Sequence, residues 1–162
     1  MARAYPLKRR GEQQAQTRQK IGEAAVELHG RVGPARTTLS MVAELAGVQR
    51  NTLYAHFPDE RSLLMACSGL SLERSPPPDA EVWRTIAPGG VRLLRGFSEI
   101  YGWYAGSAQL LACVLRDAEH YPPVQEIAAL RYGPVIRAWH VILGEGLNPA
   151  QQALLHLSLS FH

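Results

Sequence analysis

The sequence predicts an all-α protein built from two helical modules, and three observations carry that prediction. Apolar residues recur three and four positions apart along most of the chain, the spacing that gives a helix one buried face. Glycine and proline fall between those runs, at Gly33-Pro34, Pro58-Asp59, Pro88-Gly89-Gly90, Tyr121-Pro122-Pro123 and Gly144 to Gly146. Three consecutive prolines, Pro76 to Pro78, cannot continue a helix and favour extended geometry, so the boundary between modules falls there. The modules are therefore residues 1–72 and 79–162, with a fourth helix bridging toward the break.

At 162 residues the chain is long enough to bury a core, and 46% hydrophobic with 19% charged residues is ordinary for a soluble globular protein. No run of about 18 apolar residues occurs, so no membrane span is expected. The first twenty residues are basic but lead into no apolar stretch, which argues against a secretory signal and for a cytoplasmic protein. Cys67 and Cys113 lie among small and apolar residues and read as buried thiols. The six histidines show no paired metal spacing, so neither a metal nor another cofactor is expected.

Charge separates the modules. Residues 1–64 hold ten Lys/Arg against six Asp/Glu, a net of +4; residues 65–162 hold seven against eight, a net of −1. A basic segment joined to a near-neutral one suggests a nucleic-acid module attached to something else.

In chain order, residues 1–11 with Arg3, Lys8, Arg9 and Arg10 read as a mobile basic arm able to add phosphate contacts. Residues 12–32 form a first helix with Ile21, Ala25, Leu28 and Val32 facing the core. Thr38 caps a short second helix carrying Val42, Leu45 and Ala46; Gly47 supplies the turn, and Val48 fills its crook. The third helix sets Leu53 and Phe57 inward and Gln49, Arg50, Asn51, Thr52, Tyr54 and His56 outward. A short helix, apolar behind and rich in hydrogen-bonding groups in front, suits the reading of base edges and phosphates. Asp59 caps a fourth helix with Leu63, Leu64, Cys67 and Leu70 on its apolar side.

Beyond the prolines, a short turn spans Ala80 to Ile86. Val91 to Gly106 is a long helix, and Ser107 caps the next, whose broad apolar face holds Leu110, Leu111, Val114, Leu115 and Ala118. Val124 to Leu143 is one helix kinked at Pro134 or two helices. Asn148 caps a last helix with Pro149 at its first position. That helix stays apolar to the end of the chain, so the reading expects a truncated chain or a longer form, and expects the face of Leu154, Leu155, Leu157, Leu159 and Phe161 to need a partner.

Thr38 to Leu64 resembles the DNA-binding motif of the TetR (TetR/AcrR-like) family of bacterial transcriptional regulators. The residues that carry the resemblance are Thr38, Ala46-Gly47-Val48, Leu53-Tyr54, His56-Phe57 and Leu63-Leu64. It implies an N-terminal three-helix helix–turn–helix DNA-binding domain followed by a C-terminal helical regulatory domain that binds ligand and dimerises. It implies further that Gln49, Arg50, Asn51 and Thr52 meet the major groove, that Tyr54 and His56 contact phosphate or nearby bases, and that Thr38 and Ser40 touch the backbone of double-stranded DNA. One departure stands out: Glu60 occupies a position where the family usually has a phosphate-binding Lys, and only the adjacent Arg61 is there to substitute.

The second module is rich in aromatic residues. Most aromatics at helical spacing belong to a core; as a site they would form an apolar cavity with a few polar handles. Tyr101, Trp103, Tyr104 and Trp139 are the candidates for lining such a cavity around a small apolar or aromatic effector. The expected function is a dimeric, ligand-responsive repressor on a palindromic operator, and not an enzyme. Two other readings compete. A helical interaction protein that has lost DNA binding draws on Glu60. A small helical enzyme would need Asp117, Glu119 and His120 to converge, and successive helical residues point about 100° apart.

Overall fold

The computed structural model describes residues 4–160, with helices α1 (Ala4–Arg31), α2 (Leu39–Leu45), α3 (Arg50–His56), α4 (Glu60–Arg74), α5 (Gly90–Ala118), α6 (Pro122–Leu143) and α7 (Pro149–Leu159). Two short 3-10 turns, Pro34–Arg36 and Ala80–Thr85, link them, and no strand occurs among the described residues. Arg3, Phe161 and the side chain of Lys8 lie outside the described residues.

Local chemistry sets the starts of α2, α4 and α7. The Thr38 hydroxyl accepts the Met41 N–H at 3.2 Å, and the Asp59 carboxylate accepts that of Ser62 at 2.6 Å. Asn148 and Gln151 form a reciprocal capping box at the start of α7, each bond 3.0 Å long. Gly47 takes φ +65°, the left-handed conformation that a turn between α2 and α3 requires.

Two local expectations change, and one open alternative is resolved. The segment expected to be a mobile arm is helical from Ala4. Pro6 falls in the first turn, where its missing N–H deprives the helix of no bond, and the Lys, Arg, Glu, Gln and Ala residues that follow are good helix formers. No helix starts at Ser107, because α5 runs unbroken to Ala118. A single Gly106 costs about 1 kcal/mol, and buried Tyr104 and Leu111 anchor the helix on either side. The Ser107 hydroxyl instead meets that of Ser75 at 3.0 Å. Of the two possibilities at Pro134, α6 takes the single helix.

There are two cores. In the head, Ile21, Ala25, Leu28, Val42, Leu53, Phe57, Leu63, Leu64 and Cys67 are buried together. Val48 is only half-buried against them. Val124 and Ile127 from α6 complete this cluster, so the head finishes its core with residues from beyond the proline break. The body core gathers Trp83, Ile100, Tyr104, Trp139, Ile142 and Leu143. Leu155 and Leu159 of α7 join it, whereas Leu154 and Leu157 remain exposed; the apolar face expected on α7 is thus divided between core and solvent.

Candidate nucleic-acid interface and body cleft

Two turns of helix position the candidate reading face. α3 buries Leu53 and is anchored at its end by Phe57, which is fully buried. Helical periodicity then turns the opposite side outward. Gln49, Arg50, Asn51 and Tyr54 are exposed, while Thr52 and His56 are half-buried at its edges. Thr38 and Ser40 lie exposed at the start of α2. Thr38 spends a lone pair on its cap, which leaves its hydroxyl proton available to a phosphate oxygen. The candidate residues thus occupy the start of α2 and the outer face of α3.

Arg18, exposed on α1, reaches this element. Its guanidinium donates to the His56 carbonyl at 2.5 Å and stands 4.2 Å from the centre of the Phe57 ring.

Glu60 and Arg61, which open α4, both bond to residues beyond the proline break. The Tyr121 hydroxyl lies 2.7 Å and 2.6 Å from the two carboxylate oxygens of Glu60. This bond, with a smaller contribution from burial, pushes the Tyr121 phenol up to about 12. Arg61 is also engaged, donating to Glu126 at 2.8 Å and 3.1 Å. Nearby, buried Asp117 accepts the Ala35 N–H at 2.9 Å and pairs with Arg116. The corner between α5 and α6 therefore grips the head at the turn before α2 and at the start of α4. Nothing in the sequence marks Tyr121 or Glu126 for this role, because each partner is more than sixty residues away.

In the body, a cleft of about 380 Å³ opens between α5, α6 and α7. Three of the four aromatic candidates line it: Trp103, Tyr104 and Trp139. Tyr101 does not; it is half-exposed and donates to the Ser158 carbonyl at 2.6 Å, tying α5 to α7. The polar ends of the other three also bond to backbone: Trp103 Nε1 to Ser75 O (3.0 Å), Trp139 Nε1 to Pro78 O (2.9 Å) and Tyr104 Oη to Leu159 O (2.6 Å). These rings offer the cleft their faces and edges. Polar groups come from Glu119, Tyr132, His140 and His156, which are not among the lining candidates read from the sequence. His140 Nδ1 donates to the Ile136 carbonyl at 2.8 Å, and its Nε2 lies 3.2 Å from His156 Nδ1.

The fold and these faces define a class: a helix–turn–helix head carried on an all-helical body. Residues 21–67 match the family described as bacterial regulatory proteins, tetR family. The match covers the head, residues 21–67, and there the chain is similar to that family. The HTH-type transcriptional regulator TtgR of Pseudomonas putida is 43% identical over 60 residues, covering 37% of this chain and 29% of that protein. The probable HTH-type transcriptional regulator ArpR of Pseudomonas putida matches over the same shares with the same identity. The chain thus matches less than a third of the length of these curated relatives. A crystal structure of the multidrug binding protein EbrR complexed with imidazole has a TM-score of 0.53 and 21% identity, over 88% of this chain and 76% of that one. It extends the likeness in fold to the body.

Proposed function

We propose that this protein is a ligand-responsive transcriptional repressor that binds a palindromic operator in double-stranded DNA as a homodimer. The observation that carries the reading is the outer face of α3, where Gln49, Arg50, Asn51 and Tyr54 stand exposed on a helix held from behind by Leu53 and Phe57. Arg50 and Asn51 are residue types that pair bidentately with guanine and adenine edges in the major groove. Thr38, Ser40, Tyr54 and His56 supply phosphate contacts that fix the register, and Thr52 packs at the groove wall. Two heads related by a two-fold axis would meet half-sites about one helical turn apart.

The body cleft is the proposed effector site. Its walls mix aromatic and aliphatic side chains, and a flat apolar or aromatic ligand would stack on Trp103, Tyr104 and Trp139. Ligand binding would shift DNA affinity only by favouring one arrangement of the heads over another.

Selection of bound duplexes from a random pool tests the reading directly. Paired half-sites should be enriched. Arg50→Ala or Tyr54→Ala should then weaken binding to the selected duplex about tenfold or more in a gel-shift assay at fixed salt, as expected for a lost base or phosphate contact. Unchanged affinity in both variants would sink the site assignment. Light scattering coupled to size exclusion tests the dimer, and a monomer at micromolar concentration would overturn that part.

A further inference from the structure

We infer that Arg18 is a positioning residue for the reading helix, one that sets the specificity of DNA recognition without contacting DNA. The inference rests on the proposed function of α3. Three observations converge on it.

The first is how little holds α3. It is seven residues long, buries one side chain of its own, and its N-cap Gln49 makes no side-chain capping bond. The second is that Arg18 donates to the carbonyl of His56, the last residue of the helix. That carbonyl is one of the acceptors a helix end leaves without an intrahelical partner, and a cation there complements the negative end of the helix dipole. Among the described residues, no other side chain hydrogen-bonds to α3. The third is that the same guanidinium stands 4.2 Å from the centre of the Phe57 ring, the buried aromatic that ends the helix. A planar cation is suited to both contacts at once: it donates in its plane and interacts with a ring through its face.

Arg18 therefore links the long helix α1 to the end of the short one. Tilting α3 moves the Arg50 and Asn51 side chains, whose base contacts depend on bidentate geometry, far more than it alters phosphate contacts made through flexible side chains. Losing Arg18 should reduce discrimination between selected and random duplex while leaving the electrostatic part of binding intact.

The experiment compares the full chain with Arg18→Ala and Arg18→Lys by two readouts. In titrations at several salt concentrations, Arg18→Ala should bind the selected duplex about tenfold more weakly, the factor for a lost charge-assisted bond. Its affinity for random duplex and the slope of log affinity against log salt should stay as in the parent. Arg18→Lys keeps the charge but not the planar fork, and should restore part of the selectivity. In hydrogen exchange, the amides of Leu53 to Phe57 should exchange faster in Arg18→Ala, and those of α6 should not change. A slope reduced by about one charge, with both duplexes weakened equally, would mean that Arg18 contacts phosphate and would overturn the inference. Unchanged exchange in α3 would overturn it as well. If no duplex is selected at all, the function proposed for α3 fails and specificity has no meaning, but the exchange readout still decides whether Arg18 holds the helix.

Discussion

His29 sits where α1, α4 and the turn before α2 converge, 5% exposed, with Nδ1 3.5 Å from Cys67 Sγ. Cys67 directs its S–H toward the Leu64 carbonyl at 3.3 Å, so the sulfur is left to accept from the imidazole. Burial holds both groups neutral. It pushes the Cys67 thiol up to about 12 and lowers His29 to about 4, against a smaller opposing pull from Asp117. A histidine whose folded value lies below its unfolded one takes up its proton in the unfolded chain first. Its contribution is therefore fully present above the unfolded value and is lost as pH falls from about 6.5 toward 4. Between pH 7.5 and pH 5 this amounts to about 2 kcal/mol. Urea unfolding of the parent and of His29→Gln at the two pH values isolates that share, because the remaining histidines are common to both. A parent and variant with the same pH dependence would show that His29 is not the group responsible. The same burial makes Cys67 a packing residue rather than a nucleophile, which agrees with its apolar sequence neighbours.

At the scale of elements, what is legible in the sequence is what local chemistry decides. The caps at Thr38, Asp59 and Asn148, the turn at Gly47 and the inward pair Leu53 and Phe57 follow from residues within four positions of each other, and the structure has them all. The continuity of α5 is not legible, because packing against other helices outweighs one glycine and one serine. Nor is the fate of Glu60. In the sequence it stands as an obstacle to phosphate binding; in the structure its carboxylate takes the Tyr121 hydroxyl and serves the contact between α4 and the α5–α6 corner. Two opposite effects are expected. Tyr121→Phe removes the donor and should lower stability by about 1 kcal/mol in a denaturant titration. Glu60→Lys removes the same bond but replaces a repulsive charge with an attractive one. It should strengthen binding to random duplex and steepen the salt dependence by about one phosphate contact. A salt slope unchanged by Glu60→Lys would place the start of α4 away from the DNA.

At the scale of the molecule, the proline break does not divide the chain into two independent cores. Val124 and Ile127 leave α6 to pack among Ile21, Leu28, Leu64 and Cys67, and Asp117 binds the Ala35 N–H in the turn before α2. A head that borrows part of its core from the body should not unfold without it. The chain provides a probe for each half. All three tryptophans, Trp83, Trp103 and Trp139, lie in the body, and Cys67 is buried in the head. In a Cys113→Ser background, urea titrations followed by tryptophan emission and by thiol labelling of Cys67 should give the same midpoint. Ile127→Ala deletes three buried carbons where α6 enters the head, at a cost of about 2–4 kcal/mol. Most of that loss falls on the head, so Cys67 should become reactive at a lower urea concentration than the one that changes tryptophan emission. Separate midpoints already in the parent would show that the head does not depend on α6 in this way, and a common shift of both in the variant would show a single cooperative unit that the substitution does not divide. Coincident midpoints that Ile127→Ala pulls apart would instead identify the α6 entry as the joint between the body and the head helices.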